Sequence, residues 1–323
     1  MRTGKRQFTV IQGKKRKKKT SEKLVYFLLT GIIGLLLLQV GFSFARDALA
    51  SVLTKTVISE DSVIEHTVTA KGILIRDESV VAAPLSGTVN WVVQEGDRLS
   101  AGTRVAAISS PGGTLQHVPT PSPGIVVLQL DGLEGVLQPK SLADTNVGEM
   151  MQYAGQERHR ISSGDHVEQG TILFKVVNNF SWYFAVELAG QEYQDVETLA
   201  TAGIRFSFSP EEEIRGRVVV RRETAQDTAL VVFELKQQVT GFERERFAEA
   251  ELVVRRTSGI ILPGSALVSR GGETGVYILS KSVVRYRSVD VLETEGNRVI
   301  ITGIPNGYQI ITNPTLVREG MRL

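Results

Sequence analysis

The chain changes texture sharply near residue 46. From Leu24 to Ala45 it runs LVYFLLTGIIGLLLLQVGFSFA, 22 residues without a formal charge. At about 1.5 Å per residue a helix of that length spans roughly 33 Å, enough for a hydrocarbon core of about 30 Å. Backbone amides in lipid must be satisfied within the segment, so the pattern predicts one N-terminal transmembrane helix. Beyond it, Val, Ile and Thr alternate with polar residues in short runs, among them Val80–Ala82, Thr88–Val93, Arg217–Val220, Ala229–Glu234 and Arg298–Thr302. Gly, Pro, Asn and Asp separate these runs, and the whole predicts a mainly β region. Helical spacing is confined to Gln191–Thr201 and Ser141–Arg158.

Charge gives this division a direction. The net charge is only +2, but residues 1–23 hold ten of the 37 basic residues and one of the 35 acids. Everything after Ala45 holds 27 basic and 34 acidic residues. A basic run, Lys14-Lys15-Arg16-Lys17-Lys18-Lys19, precedes the apolar stretch, whereas Asp47, Glu60, Asp61 and Glu65 outnumber Arg46 and Lys55 after it. The positive-inside rule therefore predicts a cytoplasmic N-terminus and an outer region of 278 residues, extracellular or periplasmic. Beside a spanning helix the basic run reads as topogenic and lipid-facing, with no nucleic-acid partner expected. Ala48-Leu49-Ala50 has the form of a signal-peptidase site, but the apolar core exceeds the 7–15 residues or so of a cleaved signal, so a retained anchor is expected. The absence of Cys excludes disulfides, thiolate metal sites and a cysteine-linked lipid anchor.

One pattern occurs twice. The first copy reads Ala83-Pro84-Leu85-Ser86-Gly87-Thr88-Val89, then Gly96-Asp97-Arg98-Leu99-Ser100-Ala101-Gly102-Thr103. The second reads Thr120-Pro121-Ser122-Pro123-Gly124-Ile125-Val126, then Gly164-Asp165-His166-Val167-Glu168-Gln169-Gly170-Thr171. Pro84, Gly87, Pro121 and Gly124 are expected at tight bends after a stiffened strand start. Gly96, Asp97, Gly102, Gly164, Asp165 and Gly170 are expected in turns with positive φ and Asp side chains capping nearby amides.

This duplication resembles the lipoyl/biotinyl-like half-motifs of the barrel-sandwich hybrid domain, in which two halves pack as a flattened sandwich. A true carrier presents a modifiable Lys where its halves join. Here the join is Ser109-Ser110-Pro111-Gly112-Gly113-Thr114-Leu115-Gln116-His117-Val118, without any Lys, and Lys71 and Lys140 lie away from it. No cofactor is expected. With the anchor, the order of motifs resembles the HlyD-like membrane fusion proteins, or periplasmic adaptor subunits, in an RND-related short form. Trp182–Glu187, Ala202-Gly203-Ile204-Arg205-Phe206, Gly216–Val219 and Ala250–Val254 resemble that family's β-barrel domain. Ile261-Leu262-Pro263-Gly264-Ser265-Ala266-Leu267-Val268, Gly275–Leu279, Arg285–Val291 and Ile304–Ile311 resemble its membrane-proximal domain.

Two departures stand out. The long α-helical hairpin that lets family members reach an outer-membrane channel is replaced by about ten Pro/Gly/Ser-rich residues, too few for a coiled coil. Gly124 and Gly164 are 40 residues apart where Gly87 and Gly96 are nine apart, so the second half carries an insertion. Met150, Met151 and Tyr153 in it suit either an adaptable contact surface or packing onto the sandwich, and packing is favoured.

No catalytic or metal site is expected. His66, His117, His159 and His166 are scattered, and His166 with Asp165 and Ser163 sits in the repeated turn. Glu211-Glu212-Glu213 reads as a solvated turn, with a cation-binding or glycosidase carboxylate as the sharper alternative. Arg221-Arg222 and Arg255-Arg256 read as charged strand ends that blunt β edges and secondarily meet acidic envelope polymers.

The expected organisation is a basic tail (1–23), anchor (24–45), stalk (46–65), barrel-sandwich hybrid (66–178, insertion about 128–160), β-barrel (179–258) and membrane-proximal β domain (259–323). The resemblance implies a homo-oligomeric, non-enzymatic adaptor engaging an inner-membrane transporter of ABC or RND type. The alternative is an envelope or cell-division scaffold, and an envelope hydrolase stands third.

Overall fold

The computed structural model describes residue 9 and residues 19–323 apart from 157 and 226–227. The basic run at 14–18, and with it most of the predicted tail, lies outside the described residues. So do the side chains of 19–24, 40 and 42–48 within the first helix.

Helix α1 runs from Lys19 to Leu53. Its described large side chains from Val25 to Leu38 are exposed, with Phe27 at 83% and Leu38 at 74%. Among the described residues, no helix is long and apolar enough to cross a membrane. By contact, the chain forms two compact units, one of residues 1–63 with 257–323 and one of residues 64–256.

Residues 46–65, expected as a stalk, are built into structure. They continue α1 to Leu53, form β1 (Thr56–Ile58) and enter β2 (Asp61–Ala82). β1 pairs antiparallel with a C-terminal strand, Thr56 opposite Ile311. Asn313 fixes the junction, its amide donating to the Leu53 carbonyl and its side-chain oxygen accepting from the Lys55 amide, each at 2.8 Å. Ala50 joins a small core with Val284, Ile311, Val317 and Met321. Satisfying and covering the helix end in this way leaves no free stalk.

The unit of residues 64–256 contains β3 (Gly87–Trp91), β4 (Arg98–Leu99), β5 (Arg104–Ser109), β6 (Leu115–Pro119), β7 (Gly124–Val127), β8 (Gln129–Leu130), β9 (His159–Arg160) and β10 (His166–Val167). Then come β11 (Ile172–Ala189), α3 (Gly190–Glu197), β12 (Thr201–Phe206), β13 (Ser209–Ala225), β14 (Thr228–Leu235) and the first part of β15 (Phe247–Pro263). The stretch Ser141–Arg158 is no single helix. It holds only one turn, α2 (Val147–Met150), between 3₁₀ segments, with Asn146 capping the Glu149 amide at 3.0 Å.

β2 and β11 each serve two layers. Their lower pairing sets Val176 opposite Ser79, and after an irregularity at 178–181 the register resumes with Trp182 opposite Arg76. Residues 66–76, assigned from sequence to the sandwich, therefore pack in the barrel, where Val68, Ala70 and Leu74 join Trp182, Phe184, Phe206 and Phe242. The sandwich has its own core of Val89, Val105, Ile108, Val126, Phe174 and Val176.

Where β2, β11 and the first half of β14 run under the insertion, the barrel wall is buried on both faces. Leu74, Phe184, Val231 and Phe233 point to its core, while Ile73, Ile75, Ala185, Leu230 and Val232 lie beneath Leu133, Leu137 and Val147 of the insertion. This explains why Ile73-Leu74-Ile75 and Leu230–Phe233 are unbroken apolar runs, where a wall with one wet face would alternate. Met150 and Met151 pack against that cluster, and Tyr153 is exposed.

In the other unit the end of β15 pairs with β20 (Arg298–Thr302), which pairs with β19 (Asp290–Glu295). β16 (Leu267–Arg270), β17 (Glu273–Ser280), β18 (Val283–Ser288) and β21 (Gln309–Ile311) form the sheet that receives β1. Ile260, Leu262, Val276, Ile278, Val299 and Ile310 fill the core of this unit.

Candidate functional site

The repeated turns bind each other's half. The Gly96 amide donates to the Val126 carbonyl at 2.8 Å, and the Gly164 amide donates to the Val89 carbonyl at 2.8 Å. Val126 returns a bond to the Asp97 carbonyl and Val89 one to the Asp165 carbonyl, both 3.0 Å. The Gly102 amide donates to Thr120 and the Gly170 amide to Ala83, both 2.9 Å. Every one of these bonds joins a turn in one half to the bend, or the strand that follows it, in the other. Neither half can satisfy its backbone alone, so the pair is one cooperative unit.

Local chemistry explains the residue types. Gly96, Gly102, Gly164 and Gly170 have φ of 90°, 81°, 97° and 90°, the left-handed region that side chains disfavour. Asp97 Oδ2 accepts from the Gln94 amide at 2.8 Å and Asp165 Oδ2 from the Ser162 amide at 2.7 Å. Gly87 and Gly124, expected as bend glycines, instead open strands β3 and β7. They are needed because a Cβ would run into the Ser109 carbonyl at one and the Val177 carbonyl at the other. Pro84 and Pro121 lie in the bends that lead into these strands.

The join between the halves is a five-residue turn from β5 to β6, with Gly113 at φ 82°. Lys175 lies in the second half but on β11, 1% exposed and ion-paired. It presents no amine at a hairpin tip.

Lys175 belongs to a buried ionic cluster. Arg246 Nη2 donates to Glu78 Oε2 at 2.6 Å and its Nε to Asp131 Oδ2 at 3.0 Å. Lys175 Nζ donates to Asp131 at 3.1 Å and to Glu134 at 3.2 Å. Arg76 Nε donates to Glu78 Oε1 at 2.8 Å, while its Nη1 bonds the Phe242 carbonyl and the Glu245 carbonyl, the latter at 2.6 Å. Three cations face three carboxylates supplied by β2, β11, the insertion and the segment before β15. Burial pushes the Glu78 carboxyl up, but Arg76, Arg246 and Lys175 together hold it below its usual range. Burial likewise raises Asp131, and Arg246 and Lys175 override it, holding the carboxyl down at about 2. The cluster fastens the insertion to the barrel wall. The only sign of it in the sequence is that Arg76 and Lys175 are each set in an apolar run.

The remaining sequence candidates have structural duties. Asp165 is occupied by Ser162, and Ser163 Oγ accepts from the Trp91 amide at 3.0 Å. Glu211–Glu213 lie within β13 and not in a turn. Glu212 accepts from the Ser209 hydroxyl and the Thr240 hydroxyl, both at 2.9 Å, and these bonds lower its pKa. Arg221-Arg222 and Arg255-Arg256 sit inside β13 and β15, away from strand ends. Among the described residues, no group of three His, Asp or Glu is placed to hold a metal.

Residues 78–178, which carry both halves and all of these turns, match the family model described as an RND-related barrel-sandwich hybrid domain. This segment is such a domain. Its match begins within β2 near the point where that strand leaves the barrel, and it ends where β11 enters it. No curated protein matches the sequence. Among solved structures the chain is similar to ZneB from Cupriavidus metallidurans, at 13% identity and a TM-score of 0.36 over 80% of this chain and 92% of that one. It is also similar to MacA from Actinobacillus actinomycetemcomitans, at 10% and 0.35 over 79% and 99%. The membrane fusion protein Spr0693 from Streptococcus pneumoniae R6 overlaps at 9% and 0.31 over 60% and 99%. Overlap at that level is a likeness and supports no conclusion.

Proposed function

We propose that this protein is a membrane-anchored adaptor of the membrane-fusion type, which positions an export or efflux assembly without itself transforming a substrate. The observation that carries the reading is the reciprocal clasp of two half-motifs into an RND-related hybrid domain with no lysine at its tip. A rigid module with satisfied turns and no modifiable amine suits scaffolding. Leu24–Ala45 is the anchor in this account, retained and single-pass, with the N-terminus in the cytoplasm and the β domains extracellular or periplasmic. The uncharged stretch and the charge asymmetry around it support that topology. The partner is an inner-membrane transporter of ABC or RND type, engaged by a homo-oligomer. The five-residue turn between β5 and β6 gives no helical hairpin for reaching a distant channel.

Cross-linking in intact cells followed by mass spectrometry tests this. A multispanning transporter subunit as the principal cross-linked partner is the expected result. Division or wall proteins in its place would favour the scaffold alternative and overturn the transport assignment. The intact mass is a second check, since a mature chain beginning at Ser51 would remove the anchor.

A further inference from the structure

The outer face of the barrel carries a trough of about 880 Å³ across β15, β12, β13 and β14. Its layout follows from register. Gly203 lies opposite Val253 on one side and Arg215 on the other, and Thr201 lies opposite Arg217. Arg217 in turn lies opposite Glu234 and Gly216 opposite Leu235, so continuing that pairing sets Arg215 beside Lys236. Successive residues alternate faces in a strand, so Ala202, Ile204 and Leu235 point into the core while these residues point out. Thr201 and Gly203 make a low floor between long basic side chains, with the Glu213 carboxylate lying over Gly203.

The charges on this face are unbalanced in a specific way. Arg217 is held by Glu234 at 2.6 Å, and Arg256 by Glu213 at 2.6 Å and Glu65 at 2.8 Å. Arg215 and Lys236 are exposed, and no ion pair joins either to a carboxylate among the described residues. Like charges on neighbouring strand positions repel, so the fold tolerates a pair that gains nothing from its own chain. An anion between them would gain from both.

We propose that this trough binds an extended chain of phosphate groups, with Arg215 and Lys236 as its principal contacts. A tetrahedral phosphate offers oxygens in several directions, so one group can accept from the Arg215 fork and the Lys236 ammonium together. Neighbouring strands are about 4.8 Å apart, which sets the trough at roughly 14 Å across four strands. A chain of repeated charges meets several cations over that distance, and a single ion meets few. No aromatic side chain lines the trough. That disfavours a protein partner, whose anchors are commonly aromatic, and disfavours nucleic acid, whose bases would need stacking platforms. The site is independent of the transporter assignment and extends beyond it.

The test is titration of the detergent-solubilised full chain with short inorganic polyphosphate at several salt concentrations. Binding should weaken steadily with salt, and Arg215→Ala with Lys236→Ala should lose about tenfold or more in affinity. Glu234→Gln removes a competing carboxylate and should tighten binding, while Arg287→Ala on β18 should leave it unchanged. Unchanged affinity in the double variant, melting at the parent temperature, overturns the site. If the double variant does not fold, unchanged affinity in Glu234→Gln overturns it. Equal binding of poly-glutamate overturns the phosphate assignment. None of these outcomes depends on which partner is cross-linked in cells.

Discussion

At Gly87 a side chain would meet the Ser109 carbonyl, and at Gly124 the Val177 carbonyl, although neither glycine has an unusual φ. Gly112, in the turn between β5 and β6, has ordinary φ, and a side chain there would meet only Ser110 Oγ, at 3.9 Å. Alanine at Gly87 or Gly124 should therefore destabilise the protein by about 1–3 kcal/mol or more, and alanine at Gly112 by far less, read as melting temperature. Arg246 gives a second prediction at this scale. Removing it leaves Glu78 and Asp131 buried with less compensation, so Arg246→Met should cost about 3–5 kcal/mol in chemical denaturation. The repeated Gly-Asp turns were legible in the sequence because a positive φ and an Asp cap leave a local signature. The ionic cluster was not, because Asp131, Lys175 and Arg246 are brought together only by tertiary packing.

The insertion is the element whose role depends most on packing. Leu133, Leu137 and Val147 cover the outer face of a barrel wall that would otherwise expose Ile73, Ile75 and Val232. Leu133→Ala should cost about 2–5 kcal/mol and open this layer before the sandwich, visible as earlier hydrogen exchange in β2 and β14. The cluster beneath adds a pH dependence. Asp131 and Glu78 are both held below their ordinary pKa, so their stabilising contribution is present above the unfolded values and is lost as the folded groups protonate. Asp131, ordinarily 3.8, is held at about 2. The insertion should loosen over that interval as pH falls, and Asp131→Asn should flatten this limb of an acid titration followed by tryptophan fluorescence. Ser141–Arg158 misled as a helix because its apolar spacing reflects burial of a short turn, and Pro139 and Asn146 bound pieces too short to propagate.

Over the whole molecule, the alternating runs identified a β-rich chain, and the duplicated turns identified the hybrid domain. What they did not reveal was that β2 and β11 serve both sandwich and barrel, since a strand's period is the same on either side of an irregularity such as 178–181. Nor did residues 46–65 announce that they end a helix and join a sheet, because β1 is stabilised by a strand some 250 residues away. The adaptor account depends on the two half-motifs forming one clasped domain on the far side of the membrane. The chain contains no Cys, so a pair of introduced thiols reports without background. Thr88 in the first half lies opposite His166 in the second. With Thr88→Cys and His166→Cys together, oxidation of intact cells by a membrane-impermeant reagent should close an intramolecular disulfide, seen as a linked peptide by mass spectrometry. A pair that stays reduced, or links only to a second copy, would contradict the account.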